Sequence, residues 1–202
     1  MQLTQVVAQP KTGQEPLLLQ GQSLSWQLLD FWRWSASDLL SNTTRGRLAE
    51  FLVATAVGVE LGSVRNEWAA FDLLTPTGVK LEIKSSAYLQ TWYQRAPSAI
   101  TFSIKPARYW DAATNQSATE AARHADVYVC CLLHHQDKAS VNPLDLDQWT
   151  FYVLATVEVA NYTRSQHSIT LKSLQKLTAA VSYTELAVEV QRKHQLNTVL
   201  SR

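Results

Sequence analysis

The sequence predicts an α/β protein in which a mixed sheet of about five strands is flanked by helices. Three observations support this class. Apolar residues recur at helical spacing early in the chain, turn residues separate two extended segments in the middle, and further β-branched and aromatic runs precede a last helix. Because no composition break divides the 202 residues, we expect a single domain over 1–202.

The N-terminal part is predicted to be a loosely ordered lead-in followed by two helices. Residues 1–23 are rich in Gln, Thr, Pro and Gly and show little periodicity. Apolar and aromatic residues over 24–40 predict the first helix. The second and longer helix is expected over 42–60, with Asn42 or Thr43 as its N-cap.

The middle of the chain is predicted to form the sheet. Two extended segments, 68–74 and 79–88, are separated by Thr-Pro-Thr-Gly at 75–78, which predicts an antiparallel hairpin. Clusters of β-branched and aromatic residues predict the remaining strands, at 99–104, 125–133 and 149–159.

Three further segments complete the predicted fold. Residues 105–123 are expected to be a surface excursion or a short helix. A short element is expected at 169–177. The pattern Ser182-x-x-Glu185 is a capping box, which predicts a final helix that runs toward Lys193.

Composition excludes several classes of protein. The chain has 18 Lys and Arg against 17 Asp and Glu, a formal net charge of +1, which excludes a polycationic nucleic-acid coat and an acidic tail. No apolar stretch reaches the ~18 residues of a membrane helix, so we expect no membrane association. The two cysteines, Cys130 and Cys131, are adjacent and cannot form an ordinary disulfide. A reducing cytoplasm is the expected location.

The long helix carries one unusual charge. Glu50 is the only charged residue between Leu48 and Val59, so we expect this part of the helix to be buried on most sides. A carboxylate that faces a packed interior needs a cation or hydrogen-bond donors. A metal ion or Arg47 could supply the positive charge. The alternative is a purely structural ion pair of Glu50 with Arg47 or Arg45.

The hairpin is expected to bring two carboxylates together. If Thr75 pairs with Val79, Asp72 lies directly across from Glu82, with β-carbons about 5 Å apart. Like charges at such positions destabilise a sheet unless a positive charge lies beside them, and a divalent cation is the simplest one. Strand alternation places Lys84 on the same face as Glu82.

Three parts of this pattern recur together in a known family: Glu50 in an early helix, Asp72 on one strand, and Glu82-Ile83-Lys84 on the next. In this order they resemble the PD-(D/E)xK nuclease superfamily, which implies the restriction-endonuclease-like fold. The resemblance is close over 42–92 and elsewhere extends only to the order of elements. Phe71 stands where the family name has proline, a position that varies within the superfamily.

The resemblance implies metal-dependent hydrolysis of phosphodiester bonds in DNA, with endonuclease action favoured over exonuclease action. It implies that Asp72, Glu82 and the backbone carbonyl of Ile83 hold Mg²⁺, for which Mn²⁺ should substitute, since hard oxygen ligands suit these ions. Glu50 would complete the site through water or a second metal. Lys84 would act electrostatically, because neighbouring carboxylates favour its charged form. RNA stays open as a substrate, because the same chemistry attacks either backbone.

Five other residues are candidates for nucleic-acid contacts: Arg45 and Arg47 near the start of the long helix, and Ser85, Ser86 and Gln90 after the lysine. Surface or ion-pairing roles are the alternative for the arginines. Two other interpretations compete with a nuclease. One is a non-catalytic module on the same scaffold that binds nucleic acid or protein. The other is a structural ion-pair cluster in an unrelated enzyme. A homodimer or a partner subunit is compatible with the sequence.

Overall fold

The computed structural model describes residues 6–111 and 113–200 of the chain. Its helices are α1 (Leu28–Ala36), α2 (Asn42–Ala56), α3 (Thr156–Ala160), α4 (Leu171–Leu174) and α5 (Leu186–Leu200). Its strands are β1 (Pro16–Leu19), β2 (Gln22–Gln27), β3 (Leu73–Leu74), β4 (Lys80–Ala87), β5 (Thr101–Ser103), β6 (Trp110–Asp111), β7 (Gln116–Ser117), β8 (Val127–Leu133), β9 (Trp149–Ala155), β10 (Ser168–Thr170) and β11 (Ala180–Val181).

A five-stranded mixed sheet lies at the centre, in the order β11-β9-β8-β4-β3. Strands β4 and β8 run parallel, whereas the other three neighbouring pairs are antiparallel. Every residue of β8 is buried, because both faces of the sheet are covered. The predicted mixed α/β class is therefore confirmed.

The two faces of the sheet are covered by different layers. Helices α2 and α5 pack on one face, where Leu81 and Ile83 of β4 point into the core. The other face packs against the small β5–β10 sheet and helices α3 and α4. Alternation along β4 turns Glu82 and Lys84 toward this second face, beside Tyr128 of β8.

The predicted lead-in is wrong for 16–23, where β1 and β2 form a hairpin. Gln20 and Gly21 join the strands, and their φ angles are 52° and 80°. This pair of left-handed residues is the turn that matches the twist of a two-residue hairpin. The helix expected over 24–40 begins only at Leu28, because the preceding residues belong to β2. Residues 1–5 of the predicted lead-in lie outside the described residues.

Helix α2 is shorter than predicted and begins differently. Its N-cap is Ser41, whose hydroxyl accepts a hydrogen bond from the Thr44 amide at 3.4 Å, and not Asn42 or Thr43. It ends at Ala56, because Gly58 turns the chain with a φ of 72°.

The central sheet contains five strands, but they are not the five expected. Strand β5, expected within the sheet, instead pairs with β10 outside it, and β11 takes the edge beside β9. The strand expected over 68–74 shrinks to Leu73–Leu74, and 105–123 contains the short β6–β7 hairpin. The Ser182 to Glu185 capping box is present and precedes α5 as predicted.

The described residues contain no helix that is both long enough and apolar enough to cross a bilayer. Cys130 and Cys131 are buried, unpaired strand residues. Burial raises the pKa of the Cys130 thiol to about 12, so this thiol is protonated at neutral pH and cannot act as a thiolate nucleophile.

Candidate active site

The hairpin that carries the candidate site has the predicted register. The Thr75 amide donates to the Val79 carbonyl at 3.0 Å, and Gly78 occupies the left-handed position with a φ of 83°. Leu74 lies opposite Lys80 in the ladder. The turn sequence therefore fixes the pairing of β3 with β4, as expected from its Pro and Gly.

Asp72 departs from the position predicted for it, because the regular ladder ends one residue later, at Leu73. Its amide donates to the Leu81 carbonyl at 2.9 Å. Its carboxylate reaches along β4 and accepts a hydrogen bond from the Ile83 amide at 2.7 Å. Asp72 is thus not paired across the ladder with Glu82. Its side chain takes the place of a backbone partner and is fixed beside Glu82.

Burial and the neighbouring Glu82 carboxylate both raise the pKa of Asp72 above its usual value. The hydrogen bond from Ile83 and the charges of Lys84 and Arg65 act in the opposite direction without cancelling this effect. Within the described part of the chain, Asp72 forms no ion pair with a cation. The site therefore holds a carboxylate whose negative charge is only partly balanced.

Lys84 donates a hydrogen bond to the Glu82 carboxylate, and both side chains are about three-quarters buried. Burial lowers the pKa of Lys84, but the charges of Glu82 and Asp72 outweigh it, and the net pKa is raised. The ammonium group is therefore charged at neutral pH. A general base must be neutral, so this environment suits an electrostatic role.

Glu50 is neutralised by a residue that the sequence analysis missed. The Arg65 guanidinium donates two hydrogen bonds to the Glu50 carboxylate, one of them at 2.8 Å. The expected partners lie elsewhere, since Arg47 pairs with Glu67 at 2.7 Å and Arg45 is buried among other groups. Arg65 lies in the irregular segment that follows α2, where no periodic pattern in the sequence marks it.

Asp72 connects the two ion pairs electrostatically. It lines a cleft of about 610 Å³ together with Glu50, Arg65 and mostly apolar side chains. The hydrogen bond with Glu50 raises the pKa of Arg65, and the charge of Asp72 contributes to this effect. The charge of Glu82 raises the pKa of Asp72, and the charge of Lys84 lowers it. The candidate residues therefore form two ion pairs, Glu50 with Arg65 and Glu82 with Lys84, which both act on the charge of Asp72 or share its cleft.

The oxygen atoms of Asp72, Glu82 and the Ile83 backbone suit a hard cation that keeps most of its water ligands. No three His, Cys, Asp or Glu side chains converge in the residues that the structure describes. Two neighbouring carboxylates, Asp72 and Glu82, lie next to the backbone of Ile83. Mg²⁺ is commonly bound through one or two carboxylates and several waters, so this pair fits the ion. Glu50, held by Arg65, is less suited to direct coordination.

Two of the residues proposed for nucleic-acid contact are buried. Arg45 is 3% exposed and donates to the Leu40 carbonyl at 2.8 Å and to the Asn42 side chain at 2.7 Å. Gln90 is 6% exposed and accepts a further hydrogen bond from Arg45. Both side chains form hydrogen bonds inside the protein, and neither presents a polar group at a surface where a ligand could bind. This placement corrects the sequence interpretation.

The other proposed contacts lie nearer to the surface. Arg47 is exposed and lines the same cleft as Glu50. Ser85 and Ser86 are half-buried on β4 and, by alternation, point to opposite faces of the sheet. Ser85 faces α2, where its hydroxyl lies near Gly46. Arg47 is therefore the best placed of the five residues to meet a ligand in the cleft.

Comparison with known proteins supplies independent information. The family model for bacteriophage T4 endonuclease IV matches residues 28–173, which is more than half of the chain. The match contains every residue of the candidate site and excludes β1, β2 and α5. No curated protein matches the chain.

Proposed function

Because the chain belongs to the bacteriophage T4 endonuclease IV family, we propose that it cleaves DNA by metal-dependent phosphodiester hydrolysis of the PD-(D/E)xK type. The observation that carries this proposal is the anchoring of Asp72 to the Ile83 amide. This hydrogen bond holds a partly unbalanced carboxylate beside Glu82 and Lys84, in the order that the superfamily motif requires.

Each residue of the motif has a distinct role in the proposed reaction. Asp72, Glu82 and the Ile83 carbonyl would hold Mg²⁺, which would polarise a phosphate oxygen and acidify a water molecule. Lys84 stays protonated beside Glu82 and offsets the negative charge that develops on the phosphate oxygens. The hydrogen bond from Ile83 keeps the Asp72 carboxylate from rotating away.

Glu50 acts through Arg65 rather than as a metal ligand. Its two hydrogen bonds orient the Arg65 guanidinium at the side of the cleft that Asp72 also lines. A guanidinium binds phosphate oxygens in a fixed, forked geometry, which makes it suitable for positioning a DNA backbone. Arg47 at the same cleft adds a second cation for the backbone.

A cleavage assay tests the proposal. Purified protein is incubated with supercoiled plasmid, linear duplex, single-stranded DNA and RNA, in Mg²⁺, Mn²⁺ or EDTA. Asp72→Asn and Lys84→Ala are compared with Asp147→Asn and Lys11→Ala, which change exposed residues outside the cluster. We expect internal cuts in DNA that require metal, with a loss of about 10²-fold or more in both site variants and full activity in both controls.

Each outcome of this assay is informative. Cleavage that survives in both site variants would contradict the assigned residues. Cleavage that proceeds equally well in EDTA would contradict metal dependence.

The ion pairs of Glu50 with Arg65 and of Glu82 with Lys84 favour the second candidate, a non-catalytic nucleic-acid-binding module. DNA binding without turnover in any metal, in a folded protein, would support that candidate instead.

A further inference from the structure

A groove lined by cations lies between the loop that follows α3 and the segment around α4. Two adjoining cavities of about 490 and 420 Å³ form this groove, and Tyr162, Arg164, Ser173 and Lys176 line both of them. Lys172 lines the second cavity as well. The residues that line the groove do not belong to the candidate active site.

The three cations of this groove have no carboxylate partner. Arg164, Lys172 and Lys176 are exposed, and none of them forms an ion pair within the parts of the chain that the structure describes, 6–111 and 113–200. The sequence supplies no local partner either, since no Asp or Glu occurs in 159–184. Like charges around one groove repel one another, so the binding of an anion relieves an unfavourable interaction of the free protein.

A carboxylate that also lines the groove is already neutralised. Glu158 accepts two hydrogen bonds from the Lys193 ammonium, both at 2.8 Å, and a third from the Ala155 amide at 2.7 Å. The Lys193 side chain is only 3% exposed, so this ion pair faces inward. The exposed cations of the groove therefore keep their full positive charge.

The composition of the lining indicates a ligand with repeated negative charges. A single phosphate occupies only a small part of two adjoining cavities, whereas three cations distributed over them can each meet a separate charge. The hydroxyl-bearing residues Thr163, Ser165 and Ser168 share the lining. Arg, Lys, Ser and Thr side chains are the groups that contact the phosphates of DNA, and cations clustered on one face are typical of nucleic-acid-binding proteins.

The groove lies on the side of the sheet toward which Glu82 points. Gln166, in the loop that follows α3, accepts a hydrogen bond from Arg123 at 2.8 Å. The Arg123 guanidinium lies over the ring of Tyr128, 5.9 Å from its centroid. Tyr128 is the neighbour of Glu82 in the register of β4 with β8. These contacts connect the loop of the groove to the strand beside the candidate metal ligands.

We propose that this groove binds the phosphate backbone of DNA outside the position of cleavage, through Arg164, Lys172 and Lys176. The proposal rests on the proposed function only in taking DNA as the ligand, because binding at the groove requires neither the metal ion nor Asp72. The groove increases the affinity for DNA and leaves the cleavage step unchanged.

Fluorescence anisotropy in EDTA tests the proposal in the absence of cleavage. Labelled single-stranded and duplex oligonucleotides are titrated with the full chain at several salt concentrations. The triple variant Arg164→Ala, Lys172→Ala, Lys176→Ala should raise Kd by about 10-fold or more, and should lower the slope of log affinity against log salt by about 2 to 3. A triple variant with the Kd and the slope of wild type would overturn the proposal.

A matched control removes the same charge elsewhere. The triple variant Lys11→Ala, Arg33→Ala, Lys138→Ala changes three other exposed cations and should keep the wild-type slope, because none of them lines the groove. A polyglutamate peptide of the same charge as the oligonucleotide serves as a second ligand. Equal affinity for the peptide and for DNA would overturn the assignment to DNA, since the groove would then recognise negative charge alone.

Lysine acylation of the unmodified protein gives a measurement that depends on no variant. Bound DNA in EDTA should protect Lys172 and Lys176 from acylation, as detected by mass spectrometry, while Lys138 keeps its reactivity. Equal reactivity of all three lysines with and without DNA would overturn the proposal.

Steady-state cleavage with metal separates this proposal from the proposed function. The groove triple variant should raise KM and keep kcat, whereas Asp72→Asn should lose kcat. A protein that cuts no DNA in any metal, yet loses DNA affinity in the groove triple variant, would support the groove and contradict the proposed cleavage.

Discussion

Replacing Asp72 with asparagine should abolish cleavage and at the same time stabilise the fold. The asparagine side chain retains an oxygen that can accept the hydrogen bond from Ile83, so the local geometry is preserved. What disappears is the negative charge that burial and Glu82 disfavour. Functional sites commonly store such unfavourable charge, and its removal then increases stability.

The size of the gain follows from the charges around Asp72. Two neighbouring carboxylates at a generic separation of about 5 Å repel by about 3 kcal/mol at an effective dielectric constant of 20. Lys84 and Arg65 offset part of this repulsion, and we expect a net gain of about 1 kcal/mol for the substitution, a typical size for a single stabilising change. In a protein of this size that corresponds to about 3 °C in Tm.

The pH dependence of the gain has a definite sign. The pKa of Asp72 is raised above its ordinary value of 3.8 by burial and by the Glu82 carboxylate, so the folded state favours the protonated form. The destabilisation is complete above the folded-state pKa and absent below the unfolded value. Thermal unfolding without metal should therefore show Asp72→Asn above wild type at pH 7 and equal to it near pH 3. A variant less stable than wild type at pH 7 would show that the Asp72 charge does not destabilise the fold, and Asp147→Asn serves as the control.

Four further predictions follow from the same contacts. Lys84→Ala should lower kcat by about 10²-fold. Lys84→Arg should retain more of kcat, because the positive charge rather than proton abstraction matters. Equal losses in a steady-state assay would instead favour a role of Lys84 as general base. The KM for DNA of Arg65→Ala should be about 10 times that of Arg65→Lys. An unchanged KM in Arg65→Ala would exclude a phosphate contact. Saturating Mn²⁺ should raise the Tm of wild type by about 5 °C and leave Asp72→Asn unchanged; equal shifts would place the ion elsewhere. Arg45→Ala should cost about 3 kcal/mol in urea unfolding, because the buried Gln90 oxygen and the part-buried acceptors of Leu40 and Asn42 lose their donor. An unchanged free energy of unfolding would contradict this structural role.

Local chemistry explains which features of the fold were predictable from the sequence. The register of β3 and β4 follows from Pro76 and Gly78, because a turn of this type admits few pairings. The face shared by Glu82 and Lys84 follows from strand alternation alone. The start of the last helix follows from the capping box at Ser182. Each of these features depends on residues that are close in the sequence.

Features that depend on distant contacts were not predictable in the same way. Arg65 meets Glu50 across an irregular segment that carries no periodic signal. Asp72 leaves the ladder because its carboxylate competes successfully for the Ile83 amide. Strand β5 was recognised as extended, yet local sequence does not encode whether it joins the central sheet or pairs with β10. The β1–β2 hairpin was missed because its Gln20-Gly21 turn lies in a polar segment without clear alternation.

The central claim is that Asp72 and Glu82 together hold a divalent metal ion. Crystals soaked in Mn²⁺ and measured for anomalous scattering test it most directly, with crystals of Asp72→Asn treated identically. We expect an anomalous peak between the Asp72 and Glu82 carboxylates in the wild-type protein and no peak there in the variant. Well-diffracting wild-type crystals with no peak at these carboxylates, or with a peak that persists in Asp72→Asn, would contradict it.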